Sequence, residues 1–349
     1  MKYIVWFSWW IDSTFVAWYL KKQWHNILLI NIKNTQEQEK NILEKEKIEK
    51  IADYLKLKLK IVDATSIFKK LVIDDFINSY INWKTPNPCI KCNELVRFKI
   101  LNEIKNEFNS EYIATWHYVK KFFSRKNNFY SFSISYDTYK DQSYMLYRLI
   151  KFQNIMKYLK FPLWNFKKSY IKNILKNEWI PINTSKESQN ICFIPDNDYP
   201  RFIRQNTFVN LQNWKILDTK WNYLWEHNWL LYYTIWQRKW LSLNTNKKKY
   251  VVKIDRKNNV LIVWDNQDLM KKEVEIEWEI LLINNALKIF KNIYWKIRYK
   301  ANLEKVNRIV NNKIIFENPV RAVTPWQHIV LYWKKNWKFI VIWWWVIKT

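Results

Sequence analysis

The sequence predicts an α/β protein: a doubly wound parallel sheet, then a small β-containing middle domain and a C-terminal β-barrel. Three observations carry this reading. Apolar β-type runs and amphipathic helical runs alternate through the first part of the chain. From about Tyr199 the rhythm changes to short β runs, several joined by K-N-N or N-N-K turns. The length, 349 residues, suits two or three domains. We expect them at 1–197, 198–268 and 269–349.

Taken in order, Tyr3–Phe7 reads as a strand and Asp12–Lys22 as an amphipathic helix. Ile27–Ile32 is a second strand, and Gln36–Lys56 a long charged helix whose Glu37–Lys50 stretch is a solvated face. Leu59–Val62 is a third strand, and Ile67–Ile81 a helix. After a loop, Asn93–Phe108 reads as a helix and Glu111–Thr115 as a strand. Ligands of such sheets bind at the carboxyl ends of the strands, which places the first strand–helix turn, Ile32 and Thr115–His117 on one edge. The later β runs are Trp229–Ile235, Tyr250–Asp255, Val260–Val263, Lys296–Lys300, Lys313–Glu317, His328–Tyr332 and Lys338–Ile342.

The composition is anomalous: 24 Trp and no Gly, where a soluble protein has about 7% Gly. The tryptophans fall where glycine belongs. Trp24 follows K-K-Q, and Trp179 follows L-K-N-E, each at the position just past a helix. Trp326 stands in T-P-W-Q, where Pro-Gly would turn. Trp337 stands in K-K-N-W-K-F, where Asn-Gly would make a hairpin, and Trp343–Trp345 is a triplet in a β-rich tail. We therefore expect most of these positions to be glycine in the native protein. The codon UGA is read as Trp in one genetic code and as Gly in another, and a chain rich in Lys, Asn and Ile fits an AT-rich genome. Trp18, inside the first helix, and Trp278 are left unassigned. The rival reading keeps real tryptophans as core or RNA-stacking groups, and turn positions disfavour it.

The formal net charge is +28, from 59 basic and 31 acidic residues, which points to a polyanionic partner, nucleic acid first. AT-rich coding also inflates Lys. Three Cys, at 89, 92 and 192, argue against a secreted disulfide framework. No basic-then-apolar leader opens the chain, and the apolar run Phe339–Ile347 is too short to span a bilayer. A cytoplasmic protein is expected.

Three stretches carry chemistry. S-W-W-I-D-S, Ser8–Ser13, lies between the first strand and helix. Read as S-G-G-I-D-S, it is the pyrophosphatase-type loop of the ATP-dependent PP-loop enzymes. The glycines let the backbone wrap a pyrophosphate, Ser8 and Ser13 add hydroxyls, and Asp12 can help hold Mg2+. It is not the Walker A pattern, and an ordinary strand–helix turn is the alternative. T-P-N-P-C-I-K-C-N, Thr85–Asn93, places Cys92 near a helix N-terminus, which lowers a thiol pKa. C-x-x-C could also be half a zinc site, although one other Cys and four His offer no second pair with zinc spacing, or a buried inert pair. S-Q-N-I-C-F-I-P, Ser188–Pro195, holds Cys192, either a core thiol or one that faces Cys92 across a cleft and hands over sulfur.

With these stretches in view, the chain resembles the bacterial tRNA-specific 2-thiouridylase family, the MnmA type. The resemblance also rests on Y-I-A-T-W-H-Y, K-D-Q-S-Y-M-L-Y, F-P-L-W, W-E-H-N-W-L-L-Y-Y-T-I-W-Q-R-K-W-L and P-V-R-A-V-T-P-W-Q, so it covers essentially the whole chain. In each stretch the family has Gly where Trp is written. The resemblance implies an adenine nucleotide alpha hydrolase-like PP-loop domain. It implies ATP with Mg2+ at Trp6, Phe7, Ser8, Trp9, Trp10, Ile11, Asp12 and Ser13, with Ile32 and Trp116 near the adenosine. No metal is held by the protein alone.

The target base would lie at Asn87, Pro88 and Cys89. His117, Lys140, Asp141, Gln142, Arg298, Tyr299 and Gln327 would contact tRNA. The implied reaction adenylates the C2 oxygen of the wobble uridine of Lys, Glu and Gln tRNAs. A persulfide on Cys192 then delivers sulfur, and Cys92 is the nucleophile that releases it, forming a transient disulfide with Cys192. The implied sulfur donor is a cysteine desulfurase or sulfur-relay protein. Cys89 stands where some members have Asp, so no general base is assigned. Two other readings remain: another PP-loop ATP pyrophosphatase, such as an amide-forming synthetase, and a non-catalytic RNA-binding relic with real Trp. The Cys92/Cys192 pair and the basic C-terminal half speak against the synthetase.

Overall fold

The computed structural model describes residues 1–35, 38–182, 191–207, 214–227, 233, 235, 249–255, 258, 260–264, 270–277, 291–310 and 312–348. The expected strand Trp229–Ile235 lies largely outside these residues, as do Trp278 and Ser188–Asn190 of the Cys192 stretch. The chain divides into two interleaved units, one of residues 1–74, 88–193 and 332–343, the other of 75–87, 194–331 and 344–349.

The first unit opens with β1 (Lys2–Trp6), α1 (Ile11–Lys22), β2 (Asn26–Lys33), α2 (Gln38–Tyr54) and β3 (Lys58–Asp63). α3 (Thr65–Phe68) runs through a π-helical turn, Lys69–Ile73, into α4 (Asp74–Ile81), most of which belongs to the other unit. α5 (Pro88–Cys92), a second π-helical turn (Asn93–Arg97) and α6 (Phe98–Glu107) form one helical run. Then come β4 (Tyr112–Ala114), the antiparallel hairpin β5 (Lys120–Ser124) and β6 (Phe129–Ser133), α7 (Ser143–Leu146), α8 (Gln153–Met156), β7 (Leu159–Lys160) and α9 (Lys168–Asn177).

The sheet has the order β3-β2-β1-β4-β7, parallel throughout. Its central strand β1 is buried on both faces, as a covered parallel sheet requires, while the edge strand β3 is half-buried to exposed. Tyr3 and Val5 join Phe15, Val16 and Leu20 of α1, Ile51 of α2 and Ile171 of α9 in one core. Ile4 and Trp6 are buried on the opposite side, where α6 packs.

The second unit holds α10 (Tyr199–Gln205), whose N-terminus is capped by the Asp198 carboxylate accepting from the Arg201 N–H at 2.9 Å. β8 (Trp214–Asp218), β9 (Tyr223–His227), β10 (Tyr250–Asp255) and β11 (Val260–Trp264) form a sheet in the order β10-β11-β8-β9. β11 is buried on both faces: Leu261 and Val263 enter one cluster, Val260 and Ile262 the other. β12 (Met270–Glu277), β13 (Ile293–Lys296), β14 (Glu304–Val310), β15 (Lys313–Arg321), β16 (His328–Lys335) and β17 (Lys338–Ile347) follow. They close as a six-stranded antiparallel barrel, with Ile276 of β12 opposite Ile347 of β17. In the first unit, Ile340 of β17 pairs with Ser133 of β6.

Several boundaries differ from expectation: the strands expected to end at Glu317, Tyr332 and Ile342 run on to Arg321, Lys335 and Ile347, and two further differences change the kind of element. The helix expected from Asn93 starts at Pro88, because Pro has no N–H to lose and a φ already suited to a first helical turn. The run expected as a strand at Lys296–Lys300 ends its strand at Lys296 and turns.

The backbone also bears on the tryptophans. Trp9, Trp24, Trp83, Trp179, Trp221 and Trp326 all have left-handed φ, between 52° and 68°. Three of them make the same helix ending. The Trp24 N–H donates to the Lys21 carbonyl and the His25 N–H to the Leu20 carbonyl. Trp83 with Lys84, and Trp179 with Ile180, repeat this pair of bonds on α4 and α9. This is the Schellman ending, whose left-handed residue is usually Gly. Trp221 closes the β8–β9 hairpin, donating to the Asp218 carbonyl, and Trp326 follows Pro325 in a turn closed by Gln327 N–H to the Thr324 carbonyl. A side chain in this region costs about 1–2 kcal/mol. Six such residues cost about 6–12 kcal/mol, which rivals the whole stability of a domain, about 5–15 kcal/mol. Trp24 and Trp179 are 95% and 84% exposed, so their indoles recover nothing by burial. Trp337 departs from the pattern: Asn336, not Trp337, takes the left-handed conformation there.

Candidate active site

The edge of the first unit's sheet is built by the turn after β1. The Phe7 N–H donates to the Ile30 carbonyl at 2.8 Å, which extends β1 by one residue before the chain leaves the sheet. The Ser8 N–H and hydroxyl lie 3.1 and 3.2 Å from Ser13 Oγ, and that hydroxyl donates to the Trp10 carbonyl at 2.9 Å. Trp9 takes φ 52°, and the Trp10 N–H closes on the Ser8 carbonyl at 2.7 Å. The backbone thus forms a compact turn that ends in the N-terminus of α1, with Ile11 buried beneath it. The Trp9 and Trp10 rings stack with centroids 4.3 Å apart. Asp12, in the first turn of α1, accepts from the Tyr118 hydroxyl at 2.7 Å and pairs with the Lys168 ammonium at 2.5 Å.

At the end of β4, Thr115 Oγ1 and His117 Nδ1 lie 2.9 Å apart. The Trp116 ring stacks on His117 at 4.8 Å and tilts against Trp6 at 5.0 Å. The Trp116 and Trp295 indole N–H groups are buried with no acceptor among the described residues, a cost that native interiors avoid. Burial, with the nearby Arg97 cation, pushes His117 down to about 3, so the imidazole is neutral at pH 7. Ile32 is buried at the end of β2.

The thiols gather around Arg97. Cys89, Cys92 and Cys192 are free, and each lies within electrostatic reach of Arg97 and of one another. Burial pushes Cys92 up to about 12 and Cys89 up to about 11. The expectation of a lowered Cys92 pKa is therefore corrected. The helix begins at Pro88, so Cys92 lies a full turn inside it, 3% exposed, and desolvation outweighs any dipole effect. Cys192 is the exposed thiol of the three.

The remaining expected residues are distributed as follows. Pro88 and Cys89 open α5, while Asn87 closes the 75–87 segment of the second unit. His117 and Asp141 are both 3% exposed. The Asp141 carboxylate accepts from the Ser135 N–H at 3.0 Å and the Ser143 hydroxyl at 2.7 Å, and Gln142 Oε1 accepts from the Tyr118 N–H at 2.9 Å. In this conformation His117, Asp141 and Gln142 hold the loop, and Lys140 is the half-exposed cation beside them. In the second unit, Arg298 is exposed and donates to the Arg321 carbonyl at 2.8 Å, Tyr299 is half-buried, and the Gln327 carbonyl accepts from the Ile347 N–H at 2.8 Å.

Sequence reasoning missed Arg97, Tyr118 and Lys168. The last two lie 106 and 156 residues from Asp12, beyond any local pattern. No helix among the described residues is long and apolar enough to cross a membrane.

Comparison with known proteins adds the following. Residues 1–196 match the model of the tRNA methyl transferase HUP domain, and residues 202–265 that of the tRNA methyl transferase PRC-barrel domain. The chain is 32% identical to tRNA-specific 2-thiouridylase MnmA 1 of Thermoanaerobacter sp. (strain X514) and 34% identical to MnmA 2 of the same strain, over 341 residues and 92% of each chain. It is 30% identical to tRNA-specific 2-thiouridylase MnmA of Clostridioides difficile (strain 630), again with 92% of each chain covered.

Proposed function

The chain belongs to the tRNA-specific 2-thiouridylase (MnmA) family, and from that membership we propose that it is an ATP-dependent tRNA-uridine 2-sulfurtransferase acting at the wobble position. The structural observation that supports this reading most is the gathering of three free thiols around one cation in the unit that carries the Ser8–Ser13 turn.

The turn fits a pyrophosphate in its backbone and hydroxyl groups but not in its written side chains. Ser8, Ser13 and the α1 N-terminus supply the donors. The stacked Trp9 and Trp10 rings stand on a turn whose left-handed residue calls for Gly. We therefore propose glycine at 6, 9, 10 and 116, and at the left-handed positions 24, 83, 179, 221 and 326. With glycine there, Ser8–Ser13 holds the ATP phosphates and Ile32 and position 116 flank the adenosine. Asp12 would hold Mg2+ in place of Lys168, and the ion would offset the charge of the phosphates.

ATP supplies the adenylyl group that turns the base C2 oxygen into a leaving group. Asn87, Pro88 and Cys89 receive the base, which must leave the anticodon stack because C2 is shielded within it. Cys192, the exposed thiol, carries the persulfide from a desulfurase or relay protein and delivers sulfur to C2. Cys92 then releases it, leaving a Cys92–Cys192 disulfide that thiol exchange reopens. Lys140, Arg298, Tyr299 and Gln327 meet tRNA, while His117, Asp141 and Gln142 act from beneath. Lys, Glu and Gln tRNAs are the proposed substrates and the cytoplasm the proposed site of action.

The test is to incubate the glycine form with ATP, Mg2+, a persulfide source and unmodified tRNA, and to digest the tRNA for nucleoside mass spectrometry. ATP-dependent 2-thiouridine at the wobble position is expected. An amidated product with no thiolated nucleoside would favour the synthetase reading.

A further inference from the structure

Arg97 stands five residues after Cys92, in C-N-E-L-V-R. On a regular α-helix that offset turns a side chain by about 140°, away from the thiol. Here the intervening turn is π-helical, closed by the Phe98 N–H on the Asn93 carbonyl. The wider turn brings Arg97 back toward the side of Cys92, and such π turns recur at functional sites.

The guanidinium has a specific setting. Its carbon lies 4.4 Å from the centroid of the ring of the written Trp6, which places it at the end of β1 where the phosphate turn begins. Its Nε is shielded from solvent and has no hydrogen-bond acceptor among the described residues. A buried donor without an acceptor is costly in a finished interior and is expected where an anion arrives later. Among the described residues, the groups that act electrostatically on Cys92 are Arg97, Cys192 and Cys89, and Arg97 is the cation of the set. His117, which also faces Arg97, is neutral and does not share that role.

Building on the sulfurtransferase reading, we propose that Arg97 is the positioning residue that favours the thiolate of Cys92 against the cost of burial and orients the sulfur toward Cys192. Burial alone disfavours the thiolate, and a neutral thiol is a poor nucleophile. A guanidinium is always charged and tolerates burial better than an ammonium does, so it opposes that penalty without itself losing a proton. The Nε–H, which has no acceptor among the described residues, can donate to an anion that forms beside it.

The experiment compares the glycine form with its Arg97→Met and Arg97→Lys variants. A small methanethiosulfonate reagent labels the cysteines across a pH series, and peptide mass spectrometry resolves the rate at each one. In Arg97→Met, Cys92 labelling at pH 8 is expected to fall about tenfold, its pH profile moving up by about one unit. Thiolation of tRNA falls with it, and Arg97→Lys restores both. If Arg97→Met does not fold, Arg97→Gln takes its place. An unchanged Cys92 profile in the folded variant overturns the proposal, whatever happens to thiolation. If the parent thiolates no tRNA, the sulfurtransferase reading fails, and the labelling profile still decides the role of Arg97.

Discussion

The Asp12 carboxylate and the Lys168 ammonium meet at 2.5 Å across 156 residues of sequence, with side chains 22% and 11% exposed. This pair ties the first turn of α1 to the first turn of α9, directly beside the Ser8–Ser13 turn. Lys168→Met leaves the carboxylate with the Tyr118 hydroxyl as its one partner among the described residues. We expect a loss of about 1–3 kcal/mol, the cost of stripping a partner from a shielded polar group. Lys168→Arg should recover most of it. Denaturant melts of the three proteins measure the difference, and equal midpoints would show that the pair is idle.

His117 gives the protein an acid limb. Its folded pKa, about 3, lies below the ordinary 6.5. The unfolded chain therefore binds the proton first, and the stability contributed by neutral His117 is full above pH 6.5 and lost as pH falls toward 3. His117→Gln, which can keep the Thr115 hydrogen bond and cannot titrate, should flatten the fall in stability over that window. Parallel slopes for parent and variant would assign the acid limb elsewhere.

The three thiols should separate by role in the glycine form. Cys192→Ser should abolish thiolation, since a hydroxyl cannot carry a persulfide. Cys92→Ser should load persulfide on Cys192 and stop before release. Cys89→Ser should be milder, because relatives of the family differ there. Mass spectrometry of the persulfide peptide and of digested tRNA reads both outcomes, and thiolation at the parent rate by Cys192→Ser would remove it from the mechanism.

The tryptophans can be tested in the written protein itself. Trp24→Gly and Trp179→Gly should each stabilise it by about 1 kcal/mol, by relieving a left-handed β-carbon at an exposed helix end. Trp18→Gly should destabilise it. That indole lies inside α1 and donates to Glu178 Oε2 at 3.1 Å, so the change removes a contact and puts Gly in a helix interior. Thermal melts decide, and a lower midpoint for Trp24→Gly would count against glycine at that position.

Much of the parallel sheet was legible because β1, β2 and β4 are apolar runs bounded by turns, and buried strands write themselves that way, while the edge strand β3 shows its alternation of Lys with apolar residues. The β5–β6 hairpin was not, since K-K-F-F-S and F-Y-S-F-S lack clean alternation and are joined by R-K-N-N rather than a glycine turn. The Ser8–Ser13 turn and the cysteines could be read locally. Arg97 could not, because its meeting with Cys92 depends on a π turn that no α-helical periodicity anticipates. Cys92 lies a full turn inside its helix rather than near its start, and the burial that raises its pKa is a tertiary effect that no local pattern anticipates.

The most direct measurement is the mass of the native peptide spanning residues 3–21, isolated from the source organism rather than from a recombinant host. It covers positions 6, 9 and 10 of the phosphate turn together with Trp18 in the helix. Glycine at 6, 9 and 10 is the expected result, and it would give the turn the open backbone that ATP requires. Indoles at 9 and 10 in that peptide would contradict it, leaving a turn that cannot hold the pyrophosphate and a chain that cannot activate the base.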